Sequence, residues 1–131
     1  MRALLDTNSS WADATGLQRA ITADDVLIIT PYNAQVAALR AALPGLRIGT
    51  VDKFQGRQAA VVFFTMTTSS GADMVRTAEF LFSRNRLNVA ISRAQCLSIV
   101  VGSTALSTGI SRSVTEVHQL SRLCRLIEIG G

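Results

Sequence analysis

The sequence predicts an α/β fold built on a mainly parallel sheet, and three observations carry that expectation. Val26-Leu27-Ile28-Ile29 and the stretch from Ala59 to Thr67 are apolar on both faces, as strands covered by helices on both sides must be. Segments with helical spacing alternate with them, the βαβ pattern of a parallel sheet. The chain has 131 residues and is 48% hydrophobic, enough to bury a core without staples.

Each element follows in order. Trp11, Ala14, Leu17 and Ile21 keep helical spacing, which predicts a short amphipathic helix in an N-terminal extension over 1–23. The domain proper is expected over 24–131. Val26–Ile29 is the first strand. Thr30 is a good N-cap and Pro31 suits the first helical position of a helix through Val36, Leu39, Ala42 and Leu43, stopped by Pro44-Gly45. Strands are expected at Leu46–Val51, Ala59–Thr67 and Leu97–Val101. A Ser/Thr/Gly loop covers Thr67–Asp73, and Arg76–Phe82 is irregular or a short helix. Asn85–Gln95 carries Leu87, Ala90, Ile91 and Ala94 at helical spacing, and a last helix runs from about Ser113 to Leu126.

Composition excludes several function classes. Cys96, Cys124 and His118 cannot be written into a zinc or iron–sulfur spacing. Two distant cysteines make no disulfide framework, so a reducing, cytoplasmic compartment is expected. The longest apolar stretch, Ala59–Met66, is too short to span a bilayer, and the start of the chain lacks a signal peptide's apolar core. His118, beside Glu116 and Gln119, reads as a surface residue. The 13 basic and 9 acidic side chains leave a net charge of +4, and every cation except Lys53 is arginine, the side chain that forks onto phosphate and carboxylate.

Three chemically dense segments are expected at or near the C-terminal edge of the sheet. Thr30-Pro31-Tyr32-Asn33 opens a helix whose free N–H groups suit a phosphate, with Tyr32 as a face for a base. A capped helix start with Tyr32 packed locally explains the same residues. Thr50 to Gln58 gathers a hydroxyl, a carboxylate, both kinds of cation, amides, Phe54 and Gly56, good material for a sugar–phosphate backbone. Arg84, Arg86 and Arg93 bracket one helix. Arg86 and Arg93, two turns apart, would share a face, read either as a solvated stripe or as a triphosphate reader.

Together these segments resemble motifs IV, V and VI of superfamily 1 helicases, in the branch of the nonsense-mediated decay helicase. They stand here as Ile29-Thr30-Pro31-Tyr32-Asn33-Ala34-Gln35, Gly49-Thr50-Val51-Asp52-Lys53-Phe54-Gln55-Gly56 and Asn85-Arg86-Leu87-Asn88-Val89-Ala90-Ile91-Ser92-Arg93-Ala94. Phe80-Leu81-Phe82-Ser83-Arg84-Asn85-Arg86 is similar to the C-terminal end of bacterial RecB-like nuclease–helicase fusions. The resemblance implies a three-layer RecA-like domain of the P-loop NTPase type, the second motor domain of such an enzyme. Arg93 would be the arginine finger, a group worth roughly 10³–10⁵ in rate in well-studied NTPases. Gln55, Gly56 and Gln58 would line the nucleotide cleft and couple it to the strand, with Arg86 in support. Thr30, Pro31, Tyr32, Thr50 and Lys53 would lie near single-stranded DNA or RNA.

The family has Glu where this chain has Gln58 and often a basic residue where it has Gln95, which suggests two interacting positions neutralised together. No G-x-x-x-x-G-K-[ST] occurs, and Asp24-Asp25 precede their strand rather than follow it. ATP and Mg²⁺ would therefore be bound only with an N-terminal RecA-like domain, in cis or in trans, and the chain alone is expected to be inactive as an ATPase. The rival reading is a non-catalytic module that binds nucleic acid or protein.

Overall fold

In a computed structural model, the chain is described over residues 9–66 and 84–102, together with Leu5, His118, Ser121 and Arg125; at 84 and 85 this extends to the backbone only. The expected loop at Thr67–Asp73, the segment Arg76–Phe82 and most of the helix Ser113–Leu126 lie outside these residues, although His118, Ser121 and Arg125 are helical and exposed.

Strands β1 (Ser10–Ala12) and β2 (Gln18–Ala20) form an antiparallel hairpin. β3 (Val26–Ile29) leads into helix α1 (Asn33–Ala42), β4 (Arg47–Gly49), β5 (Ala59–Met66), helix α2 (Arg84–Ile91) and β6 (Ala94–Gly102). β3 to β6 make one parallel sheet in the order β4-β3-β5-β6.

The two-sided apolarity of β3 and β5 has the consequence expected of it. Leu27, Ile29, Val62, Phe64 and Met66 point to one face, where Val51, Phe54 and Ala90 join them and Leu87 and Val89 of α2 pack alongside. Val26, Ile28, Val61 and Phe63 point to the other, beneath Val36 and Leu39 of α1, Leu43 at its C-cap, Trp11 in the middle of β1 and Ile21 just after β2. All eight residues of β5 are buried. Each large apolar side chain so buried contributes about 1.5–3 kcal/mol.

The helix expected at Trp11–Ile21 is replaced by the hairpin. Asp13-Ala14-Thr15-Gly16 is a turn sequence, with Asp first and Gly fourth. Gly16 takes φ +82°, its N–H donates to the Asp13 carbonyl, and the Asp13 carboxylate accepts from the Thr15 and Leu17 backbone N–H groups. That local bonding outweighs an apolar spacing of only four residues.

Three boundaries also move. Thr30 continues the β3 ladder, its N–H donating to the Gly49 carbonyl at 3.1 Å, and Tyr32 takes the N-cap position instead. β4 is shorter than Leu46–Val51. α2 ends at Ile91 and β6 begins at Ala94, so Arg93, Ala94 and Gln95 are not helical and Arg86 and Arg93 share no helix face. The α2 hydrogen bonds close with Ser92 N–H to the Asn88 carbonyl and Arg93 N–H to the Ala90 carbonyl, and β5 then captures the chain.

Candidate functional site

Parallel strands fix which residues can meet. A crossover returns the chain to the N-terminal edge before each new strand, so residues that precede a strand cannot sit with residues that follow one. Thr30, Pro31 and Tyr32 follow β3, and Thr50 and Lys53 follow β4; all lie at the C-terminal edge. Gln58 precedes β5, and Arg93 precedes β6. The ladder pairs Ala59 with Ala94, and the Ala59 N–H donates to the Arg93 carbonyl at 3.0 Å. The expected meeting of three segments at one edge is therefore corrected to two sites. They stand about seven residues of β5 apart, roughly 20 Å at the rise of a strand.

At the C-terminal edge, Thr30 is fully buried and Pro31 is buried. The Thr30 hydroxyl donates to the Gln35 side-chain oxygen, and the Gln35 amide nitrogen donates to Thr65 Oγ1 at 2.9 Å. Neither Thr30 nor Pro31 offers a side chain to a ligand; they set the turn that carries Tyr32. Tyr32 and Thr50 are half-buried and Lys53 is exposed. Asp52–Phe54 is one turn of 3-10 helix, in which the Lys53 N–H donates to the Thr50 carbonyl. Its anchor is Phe54, whose ring lies over Gly49. A β-carbon at Gly49 would stand 2.8 Å from the ring edge, so only glycine fits there without displacement.

Thr50 to Gln58 is the β4-to-β5 crossover, which explains its mixed chemistry. It passes over β3 on the face that α2 covers, pinned by Val51 and Phe54. Gln55 and Gly56 are exposed along it, and Gly56 holds φ +77° with open space around it. At its far end Gln95 Nε2 donates to Gln58 Oε1 at 3.2 Å. The two positions singled out for opposite neutral substitutions touch each other.

Arg93 is half-buried beside that pair. Its Nε is buried and has no hydrogen-bond partner among the described residues. Arg86 is half-buried on α2. Asp24 and Asp25 belong to a 3-10 turn before β3, where the Asp25 carboxylate accepts from the Thr22 hydroxyl at 2.7 Å. Sequence reasoning missed the role of Gln35; the signal was a Gln one helical turn inside a Thr-Pro start.

A family model described as an AAA domain matches residues 11–105. The chain belongs to this AAA-domain family. The AAA domain takes in the hairpin as well as the sheet, and it is helicase-like. It is 40% identical over 90 residues to the "DNA polymerase alpha-associated DNA helicase A" of Schizosaccharomyces pombe, covering 66% of this chain and 13% of that protein. It is 34% identical over 115 residues to the "DNA replication ATP-dependent helicase/nuclease dna2" of the same organism, covering 86% of this chain and 8% of the relative. Against the "DNA-binding protein SMUBP-2" of Rattus norvegicus it is 40% identical over 79 residues, 57% of this chain and 8% of that one. The AAA domain thus spans about an eighth or less of the length of these relatives. Among the described residues no helix is long and apolar enough to cross a membrane, and no three His, Cys, Asp or Glu side chains cluster as metal ligands.

Proposed function

We propose that this AAA domain is the second motor lobe of a superfamily 1 helicase, completing an ATP site supplied by another lobe and guiding single-stranded DNA or RNA. The observation that carries the reading is Arg93, whose backbone is held by the bond from Ala59 and whose buried Nε finds no partner among the described residues. A buried donor without a partner is costly, and an anion delivered from outside would remove that cost.

These residues fit one wall of a triphosphate pocket. The phosphate cradle and the Mg²⁺ ligands belong to the partner lobe, because this chain has no G-x-x-x-x-G-K-[ST]. Bound ATP supplies the phosphoryl group. Arg93 offsets the charge that develops on it, while Gln58, Gln55 and Gly56 border the cleft and Arg86 supports the α2 side. At the other edge Tyr32 offers a ring and Lys53 a cation, with Thr50 beside them, to a single strand. The crossover from Thr50 to Gln58 joins the two.

Two measurements on the 131-residue chain test this. ATP turnover is expected to be absent; turnover that disappears in Arg93→Ala would refute the dependence on a second lobe. A fluorescein-labelled oligo-dT or oligo-U should bind in a salt-dependent way, more weakly in Lys53→Ala and Tyr32→Ala and unchanged in Arg93→Ala. Binding that Arg93→Ala abolishes and Lys53→Ala spares would put the strand at the wrong edge.

A further inference from the structure

We infer that Gln35 is a positioning residue: its side-chain amide clamps the turn that carries Tyr32 to β5. The inference rests on the strand-binding reading above for its consequence, though not for its geometry.

The register brings the partners together. Ile29 pairs with Phe64, so the next residues, Thr30 and Thr65, stand side by side at the C-terminal edge. Ile29 and Phe64 face α2, so both threonines face α1. Each is buried, Thr30 at 0% and Thr65 at 8% exposure. Valine would fill either position as well, and two buried hydroxyls are costly unless satisfied. Gln35, in the first turn of α1, satisfies both, accepting from Thr30 at one end and donating to Thr65 at the other. A side-chain amide offers both functions at once and carries no charge into the buried pair.

A second observation says why the clamp is needed. The N-cap of α1 is Tyr32, which makes no capping hydrogen bond from its side chain. A helix start is ordinarily pinned by such a bond. Here the pin runs across the turn, from α1 back to the end of β3 and over to β5. A satisfied buried network of this kind selects one geometry more than it adds stability. It sets where Tyr32 stands relative to the sheet edge.

The test uses the full chain. Two backbone bonds flank the turn, Thr30 N–H to the Gly49 carbonyl and Val36 N–H to the Tyr32 carbonyl, both 3.1 Å. In Gln35→Leu, hydrogen exchange at the Thr30 and Val36 amides should rise about tenfold, while Ile28 and Phe63 in the middle of the ladder keep their protection. Thr65→Val should reproduce part of the rise, and Thr65→Ser, which keeps the acceptor, should not. A uniform rise across the sheet, or none, overturns the clamp. Gln35→Leu should also weaken oligo-dT binding as Tyr32→Ala does; local loosening with unchanged binding, while Tyr32→Ala still weakens it, overturns the link to the strand. A parent chain that binds no oligonucleotide sinks the strand-binding reading, and the exchange pattern alone still decides the clamp.

Discussion

The contact between Gly49 and Phe54 sets up a sharp test of how the crossover is held. In Gly49→Ala the new β-carbon would stand 2.8 Å from Phe54 Cε2, 3.1 Å from Cζ and 3.0 Å from Lys53 Cδ. Carbon atoms rest about 3.5–4.0 Å apart, so the ring must retreat by about 0.7 Å or more. Lys53 is exposed and can swing aside. Phe54 is 4% exposed and packs with Leu27, Ile29, Val62 and Phe64, so it has nowhere to go without disturbing them. Forcing a close-packed core in this way costs about 1–3 kcal/mol, a large share of the roughly 5–15 kcal/mol that holds a domain folded. Urea unfolding followed by circular dichroism should show that loss. The decisive comparison is a double-mutant cycle. Phe54→Ala alone should cost about 3–5 kcal/mol. Gly49→Ala added to it should then cost nothing, because the obstructing ring is gone. If Phe54→Ala leaves too little folded protein, Phe54→Leu serves with a smaller relief. Equal cost of Gly49→Ala in both backgrounds would refute the claim that this glycine exists to admit the ring.

Three further outcomes are expected. The Thr15 hydroxyl donating to Asp13, with the Thr15 and Leu17 backbone N–H groups and Arg19, holds the Asp13 carboxyl below its ordinary value; the hairpin's share of stability is then complete above the ordinary carboxylate range and lost as pH falls through the lowered value, which Trp11 fluorescence would follow and Asp13→Asn would flatten. Gln58→Glu with Gln95→Lys should create an exposed ion pair coupled by about 0.2–1 kcal/mol, and a urea cycle with zero coupling would mean that the two side chains do not meet in solution. Arg93→Met puts a methyl where the Nε without a partner among the described residues stands, and keeps the buried stem, so thermal stability should hold or rise by up to about 1–3 kcal/mol; a clear loss would show that the guanidinium is already paired.

The parts of the fold that sequence made legible are those dictated by burial. Val26–Ile29 and Ala59–Met66 had to be central strands because no other element keeps both sides of a short apolar run dry. Pro44-Gly45 marked the end of α1 for reasons local to the backbone. The hairpin was hidden because four apolar residues can mimic a helix when the turn chemistry of Asp13-Ala14-Thr15-Gly16 is passed over. The end of α2 was hidden for a different reason. Ala94 and Gln95 continue the helical spacing, and only pairing with β5, a contact distant in sequence, pulls them into a strand. The division of the candidate residues between two edges was not legible, since it follows from strand direction and no side chain reports that.

The distance between the two sites limits how they can inform each other. Charge is screened over about 8 Å in physiological salt, less than half the gap between Tyr32's turn and Arg93. A charge at one rim is therefore largely screened from the other. Any coupling between them has to be mechanical, and the span from Thr50 to Gln58, anchored by Phe54, reaches from rim to rim.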